Sequence, residues 1–225
     1  MSNNAHDPGA FSKYMPSLVV VAIIAICLLI EALMQLGDAG VIGIPRFRQT
    51  VYEFGGFWPG LLVNWQPNYP FQKWLMFLSY GFLHAGFVHL VLNMITLYSL
   101  SRPVVERVGS AKFTLLYAAT ILGGAMGFAL LSDTFRPMVG ASGALFGLAG
   151  AILAWNYVDR FSLEERLWPV ARAVLFLIFL NVALYYAMDQ LLAWETHLGG
   201  FVAGWVMALL IDPRGHVDEP DDEDP

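Results

Sequence analysis

Charge and cysteine are both scarce in this chain of 225 residues. Asp, Glu, Lys and Arg make up 13% of it and 57% is hydrophobic, whereas a typical soluble domain is about 25% charged. That balance excludes an ordinary soluble fold and marks an integral membrane protein. A single cysteine, Cys27, rules out an intrachain disulfide framework. The alternating ten-residue segments that closed membrane barrels need are missing too. The apolar runs are continuous and rich in Leu, Ala, Gly and Phe, which leaves helices. No basic face suited to nucleic acid occurs. The net charge of −6 comes from the last fourteen residues, which hold seven of the eighteen acids and one base, Arg214, so that eleven acids balance eleven bases elsewhere. His84, His89 and His197 lack His-Glu-x-x-His spacing and an accompanying carboxylate ligand, so no metal site is expected.

Six stretches are long and apolar enough to cross a bilayer as helices, at about residues 18–36, 86–102, 112–131, 140–158, 169–188 and 195–211. Residues 1–17 are polar, carry one lysine and no arginine, and read as a cytoplasmic leader rather than a transit peptide. Residues 212–225 cannot bury a core and read as an acidic, disordered cytoplasmic tail. Between the first two spans lie Tyr52, Phe54, Phe57, Trp58, Trp65, Tyr69, Phe71 and Trp74, residue types that favour the headgroup level. They predict a long interfacial loop. Glu31, near the outer end of the first span, is expected to snorkel or to bond to that loop. The bulky fifth span is expected to be peripheral, with Trp194 and Glu195 beyond it as an interface anchor and a solvated charge. With the N-terminus inside, eight Lys and Arg residues fall on the cytoplasmic side and four outside. That bias predicts cytoplasmic N- and C-termini in a multi-pass protein of the cell membrane.

Chemistry concentrates in GASGALFGLAG, residues 140–150, where Ser142 sits between Gly140 and Gly143 at the head of an apolar helix. Its neighbours lack side chains, so another backbone could approach its hydroxyl and its N–H closely. In the last span His197 shares a helix face with Gly200 and Gly204. Gly143, Gly147 and Ala151 form a matching small stripe on the Ser142 helix, so the two helices are expected to touch. A histidine within a span is costly and points to function; the partner expected for His197 is Ser142. In the second span His89 and Asn93 share a face. With N-in topology all four residues lie early in helices entering from the outer side, and so at one depth. His84, just before the second span, is expected near the interface, as a solvated histidine or a functional one.

GASG, the histidine followed by spaced glycines, His84-x4-His89-x3-Asn93, and Glu106-Arg107-x-Gly109-Ser110 together resemble the rhomboid intramembrane serine proteases, from about Phe71 to Asp212, the last motif being similar to that family's cytoplasmic turn between spans. The resemblance implies an all-α membrane protein with six transmembrane helices in a rhomboid-like bundle, the first loop flanking the route to the site. Relatives commonly carry Trp-Arg in that loop, where this chain has Lys73-Trp74-Leu75. The function implied is that of a serine endopeptidase, without cofactor, cleaving single-span or other transmembrane proteins near the outer membrane face. Ser142 would be the nucleophile and His197 the general base and acid. The Ser142 backbone N–H, His89 and Asn93 would hold the oxyanion. No intramembrane Asp or Glu is placed to orient His197, so a dyad is expected, with Phe146 stacking on the ring where relatives commonly have tyrosine. Two other readings stand beside it, a catalytically silent membrane-protein binder of the same fold and a proton-linked transporter. The latter lacks an internal repeat.

Overall fold

The computed structural model describes residues 17–213; the leader except Ser17, and the acidic tail beyond residue 213, lie outside the described residues. Within them the order is α1 (Leu18–Asp38), α2 (Phe47–Gly55), α3 (Gly60–Val63), α4 (Gln72–Ser79), a 3-10 turn (Tyr80–Phe82), α5 (Phe87–Leu131), α6 (Ser142–Ser162), α7 (Trp168–Ala187) and α8 (Trp194–Ile211). The chain is an all-helical membrane bundle. By length and composition α1, α5, α7 and α8 can each cross a membrane. The C-terminal part of α6 carries Asn156, Asp159 and Arg160 and makes that helix less apolar.

Two expected spans, 86–102 and 112–131, occur as one 45-residue helix, α5, broken at Gly109 (φ 78°, ψ 167°). The expected turn between them is therefore mostly helical. Arg102 and Glu106 form an i,i+4 ion pair of 2.8 Å along it, and one glycine in a left-handed conformation redirects the chain without a loop. Each leg, 87–108 and 110–131, is about 33 Å long at 1.5 Å per residue, enough to cross a hydrocarbon core of about 30 Å. Beside the break, Arg107 makes a two-pronged bond to Asp159 of α6 (2.7 and 3.0 Å) and reaches Asp212 (2.9 Å). It also lies 5.0 Å from the Trp155 ring centre. One guanidinium thus joins α5, α6 and the end of α8, a task suited to its fork of donors.

The centre of the bundle is α6 packed on α8 and α5. Glycine makes this possible. A Cβ on Gly200 would collide with the Gly143 carbonyl oxygen, one on Gly204 with that of Gly147, and one on Gly150 with that of Phe201. Small residues bring the backbones together where lipid supplies little hydrophobic drive for helix association. The stripes read from the sequence meet in register. Farther along, the Trp155 indole N–H donates to the Ala208 carbonyl at 3.0 Å. By contrast α7 buries only Val170 among its residues, in keeping with its expected peripheral place.

The segment between α1 and α5 is held by specific bonds. Glu31 is buried, at 1% exposure, and receives Arg48 from α2 at 2.8 and 3.1 Å and Gln35 at 2.8 Å. It bonds to the loop rather than snorkelling. Arg48 also pairs with Asp38 at 2.6 Å, and the Glu31 bond, the largest influence on it, holds its guanidinium above the ordinary arginine range. Phe57 and Met138 exchange backbone bonds of 3.0 and 2.9 Å, tying this segment to the strand of chain leading into Ser142. Phe57 itself is not an interface anchor. It is fully buried and meets Phe77, Tyr80 and Phe128 edge-on, and the Met138 pairing fixes its backbone at that place. Phe71 and Trp74 stay exposed, as headgroup-seeking residues would.

Candidate active site

Ser142 opens α6, and the N–H groups of a first helical turn lack partners within the helix. The loop before it is fixed by the Gly140 N–H donating to the Tyr80 carbonyl at 3.0 Å. Tyr80 in turn donates its hydroxyl to the Ile121 carbonyl at 2.7 Å. Gly140 has φ +131°, and the space a Cβ would need there is taken by the His89 ring, with Cε1 at 2.8 Å and Nε2 at 3.1 Å. Glycine is required twice over, for the backbone and for the imidazole.

From α8, His197 places Nε2 2.9 Å from the Ser142 hydroxyl oxygen. The ring of Phe146, one turn after Ser142, lies against it with centroids 4.2 Å apart and planes within 6°. His197 is buried and Ser142 half-buried. The contact follows from the glycine register, since Gly143 and Gly200 let the first turns of α6 and α8 approach at backbone distance.

His89 flanks the pair from α5. The Ala85 backbone N–H donates to its Nδ1 at 3.3 Å, so the neutral ring carries its proton on Nε2, the nitrogen beside Gly140. Asn93 is buried and donates to the His89 carbonyl at 2.8 Å, using one of the two N–H groups of its amide. The structure thus gathers Ser142, His197, Phe146, Gly140 and His89 closely and sets Asn93 one turn beyond His89.

Residues 71–214 match the Rhomboid domain family model, which is more than half of the chain. The chain belongs to the rhomboid family. Among similar rhomboid proteins are RHOMBOID-like protein 5 of Arabidopsis thaliana, 33% identical over 148 residues (64% of this chain and 46% of that protein), and Rhomboid protease GluP of Bacillus subtilis (strain 168), 30% identical over 139 residues (62% and 26%). Rhomboid-like protease 3 of Toxoplasma gondii is 33% identical over 135 residues (60% and 50%). The chain spans half or less of the length of these rhomboid relatives.

Three placements differ from the sequence reading. His84, expected near a wet interface, is fully buried, with neither ring nitrogen bonded within the described residues and its ring edge-on to His89 at 5.3 Å. Its carbonyl accepts from Tyr52 (2.7 Å) and Arg48 (3.2 Å), which ties this point of the chain to α2. Glu195, expected as a solvated charge, is buried at 8% exposure where its backbone carbonyl abuts Gly127. The third is a residue the sequence reading passed over. Asn181 of α7 brings its amide oxygen within 2.6 Å of His197 Nδ1. A lone asparagine amid the apolar side chains of residues 173–184 was the available signal, since a polar group in a span needs a partner.

Proposed function

We propose that this rhomboid protein is an intramembrane serine endopeptidase that cleaves transmembrane proteins near the outer membrane face through a Ser142–His197 dyad. The observation that carries the reading is the 2.9 Å approach of His197 Nε2 to the Ser142 hydroxyl, the geometry a general base needs to take that proton.

In this mechanism the Ser142 oxygen attacks the substrate's peptide carbonyl carbon and its proton passes to His197 Nε2. The carbonyl oxygen becomes an oxyanion. Donors to it are the Ser142 backbone N–H, His89 Nε2–H and the second N–H of Asn93. Collapse breaks the C–N bond as His197 returns the proton to the departing amine, leaving an acyl ester on Ser142. Water then attacks the ester, giving its proton to His197, and the proton passes back to Ser142 as the acid leaves. Phe146 keeps the imidazole in plane, and Gly143, Gly200 and Gly204 set the distance between the helices. Gly140 leaves room for His89.

Peptide bonds within a helix are shielded by their own hydrogen bonds, so favoured substrates carry Gly, Pro or small residues near the outer face. The N-terminal leader and the acidic tail lie in the cytoplasm of a cell with this protein in its bounding membrane, and the chemistry takes place on the other side. The full-length protein, purified and mixed with a panel of single-span substrates, is expected to cut some of them. Ser142→Ala and His197→Ala should nearly abolish cleavage, and Asn93→Ala should slow it about 100- to 1,000-fold, as loss of one oxyanion donor does. Equal cleavage by the wild type and Ser142→Ala would remove the proposal. Tight substrate binding without cutting by the wild type would support the silent binder instead.

A further inference from the structure

We propose that Asn181 is the positioning residue of the dyad, its amide oxygen accepting the Nδ1–H of His197 so that the Nε2 lone pair stays aimed at Ser142. The inference rests on the serine-protease reading and adds a residue from a third helix to it. An amide oxygen has lone pairs and no proton, so at 2.6 Å the proton between the two atoms belongs to Nδ1. A neutral imidazole has one N–H. Placing it on Nδ1 leaves Nε2 bare, and bare Nε2 is the form that can accept from the Ser142 hydroxyl 2.9 Å away.

Phe146 cannot make this selection. Its ring lies parallel to the imidazole and restrains the plane, but a flat surface does not distinguish one tautomer from the other or stop rotation within that plane. The Asn181 bond fixes both. When His197 takes up the serine proton, Nδ1–H becomes a stronger donor, and the amide dipole meets it without placing a second charge in an apolar wall. A carboxylate there would carry the cost of an intramembrane anion. The amide does the orienting part of the work a carboxylate does in a triad.

The origin of the contact also matters. α7 buries only Val170 and Asn181 itself is half-buried, so this bond joins a peripheral helix to the central α6 and α8 pair. Leucine is well suited to the apolar surroundings of α7, and Asn181→Leu should fold. Aspartate offers an oxygen at the same reach.

The test uses the full-length protein in liposomes with a substrate that the wild type cleaves and Ser142→Ala does not. Asn181→Leu should lower kcat about 10- to 100-fold, as small misplacements of catalytic groups do, with KM little changed. Its rate of labelling by a small fluorophosphonate, which reports the reactivity of Ser142 directly, should fall in parallel. Asn181→Asp should recover most of both rates. In nitrogen-15 spectra of labelled histidine, the Nδ1–H signal of His197 should be lost in Asn181→Leu and present in the wild type. Wild-type kcat and labelling in Asn181→Leu overturn the positioning role, as does a change confined to KM. Those results leave the dyad standing, whereas cleavage that survives in Ser142→Ala removes the dyad itself.

Discussion

Gly204→Ala offers the strongest test of how the bundle sets its central distance. The added methyl would strike the Gly147 carbonyl oxygen and lie 2.8 Å from the Gly147 Cα. These are backbone atoms of a packed helix, and no side chain can swing aside to make room. Reaching ordinary contact requires α6 and α8 to part locally by about 1.5 Å. Overpacking of this kind typically costs about 1–3 kcal/mol. Gly204 lies two turns from His197, about 10 Å along α8, so only part of that separation reaches the Ser142 bond. An increase of about 0.5 Å on 2.9 Å would carry the pair beyond good hydrogen-bond range. Turnover should then fall by up to about 100-fold. Thermal unfolding of the purified protein and its cleavage rate would be measured together, with Gly81→Ala as control, because the nearest atoms to a Cβ there belong to the Ile121 side chain, at 3.3 to 3.5 Å, and not to a backbone. Gly204→Ala should unfold at a clearly lower temperature and cut slowly, while Gly81→Ala stays near the wild type. If the two variants were equally stable and equally active, the idea that backbone proximity of α6 and α8 controls the site would be wrong.

Other outcomes follow from single contacts. Arg48→Ala strands the buried Glu31 carboxylate without its cation and should cost about 3–5 kcal/mol in denaturant unfolding; adding Glu31→Gln should recover part of it, which a mere loss of packing would not. Phe146→Leu removes a stacking surface worth about 0.5–1.5 kcal/mol and should slow cleavage about two- to tenfold, with Phe146→Tyr retaining the rate. Trp155→Phe leaves the Ala208 carbonyl without its side-chain donor and should lower stability by about 1 kcal/mol, measured by the same thermal method with activity intact.

The meeting of Ser142 and His197 was legible because each lies at the head of a stripe of small residues, and stripes of that kind specify both which helices touch and in what register. Gly143 against Gly200 and Gly147 against Gly204 are enough to bring the two polar groups level. Asn181 was not legible in the same way. α7 has no small stripe to fix its rotation, so its sequence gives no register against α8, and the contact depends on three-dimensional placement. The burial of Phe57, His84 and Glu195 escaped for a related reason. Their backbones are held by residues far away in the chain, Phe57 by Met138, the His84 carbonyl by Arg48 and Tyr52, and the Glu195 carbonyl against Gly127. The Gly109 break was visible as a turn motif, but its economy was not. A motif can tell where a chain bends without telling that the bend takes one residue.

The slight burial of α7 has a consequence for how this protein meets its surroundings. Acyl chains compete on nearly equal terms with protein side chains for the surface of such a helix, since both are apolar and neither gains from leaving water. Few protein contacts then hold its angle, and the Asn181 bond to His197 is one of them. If the proposed dyad operates, a change in the tilt of α7 would carry Asn181 away from His197, and cleavage should then vary with the thickness of the bilayer around the protein.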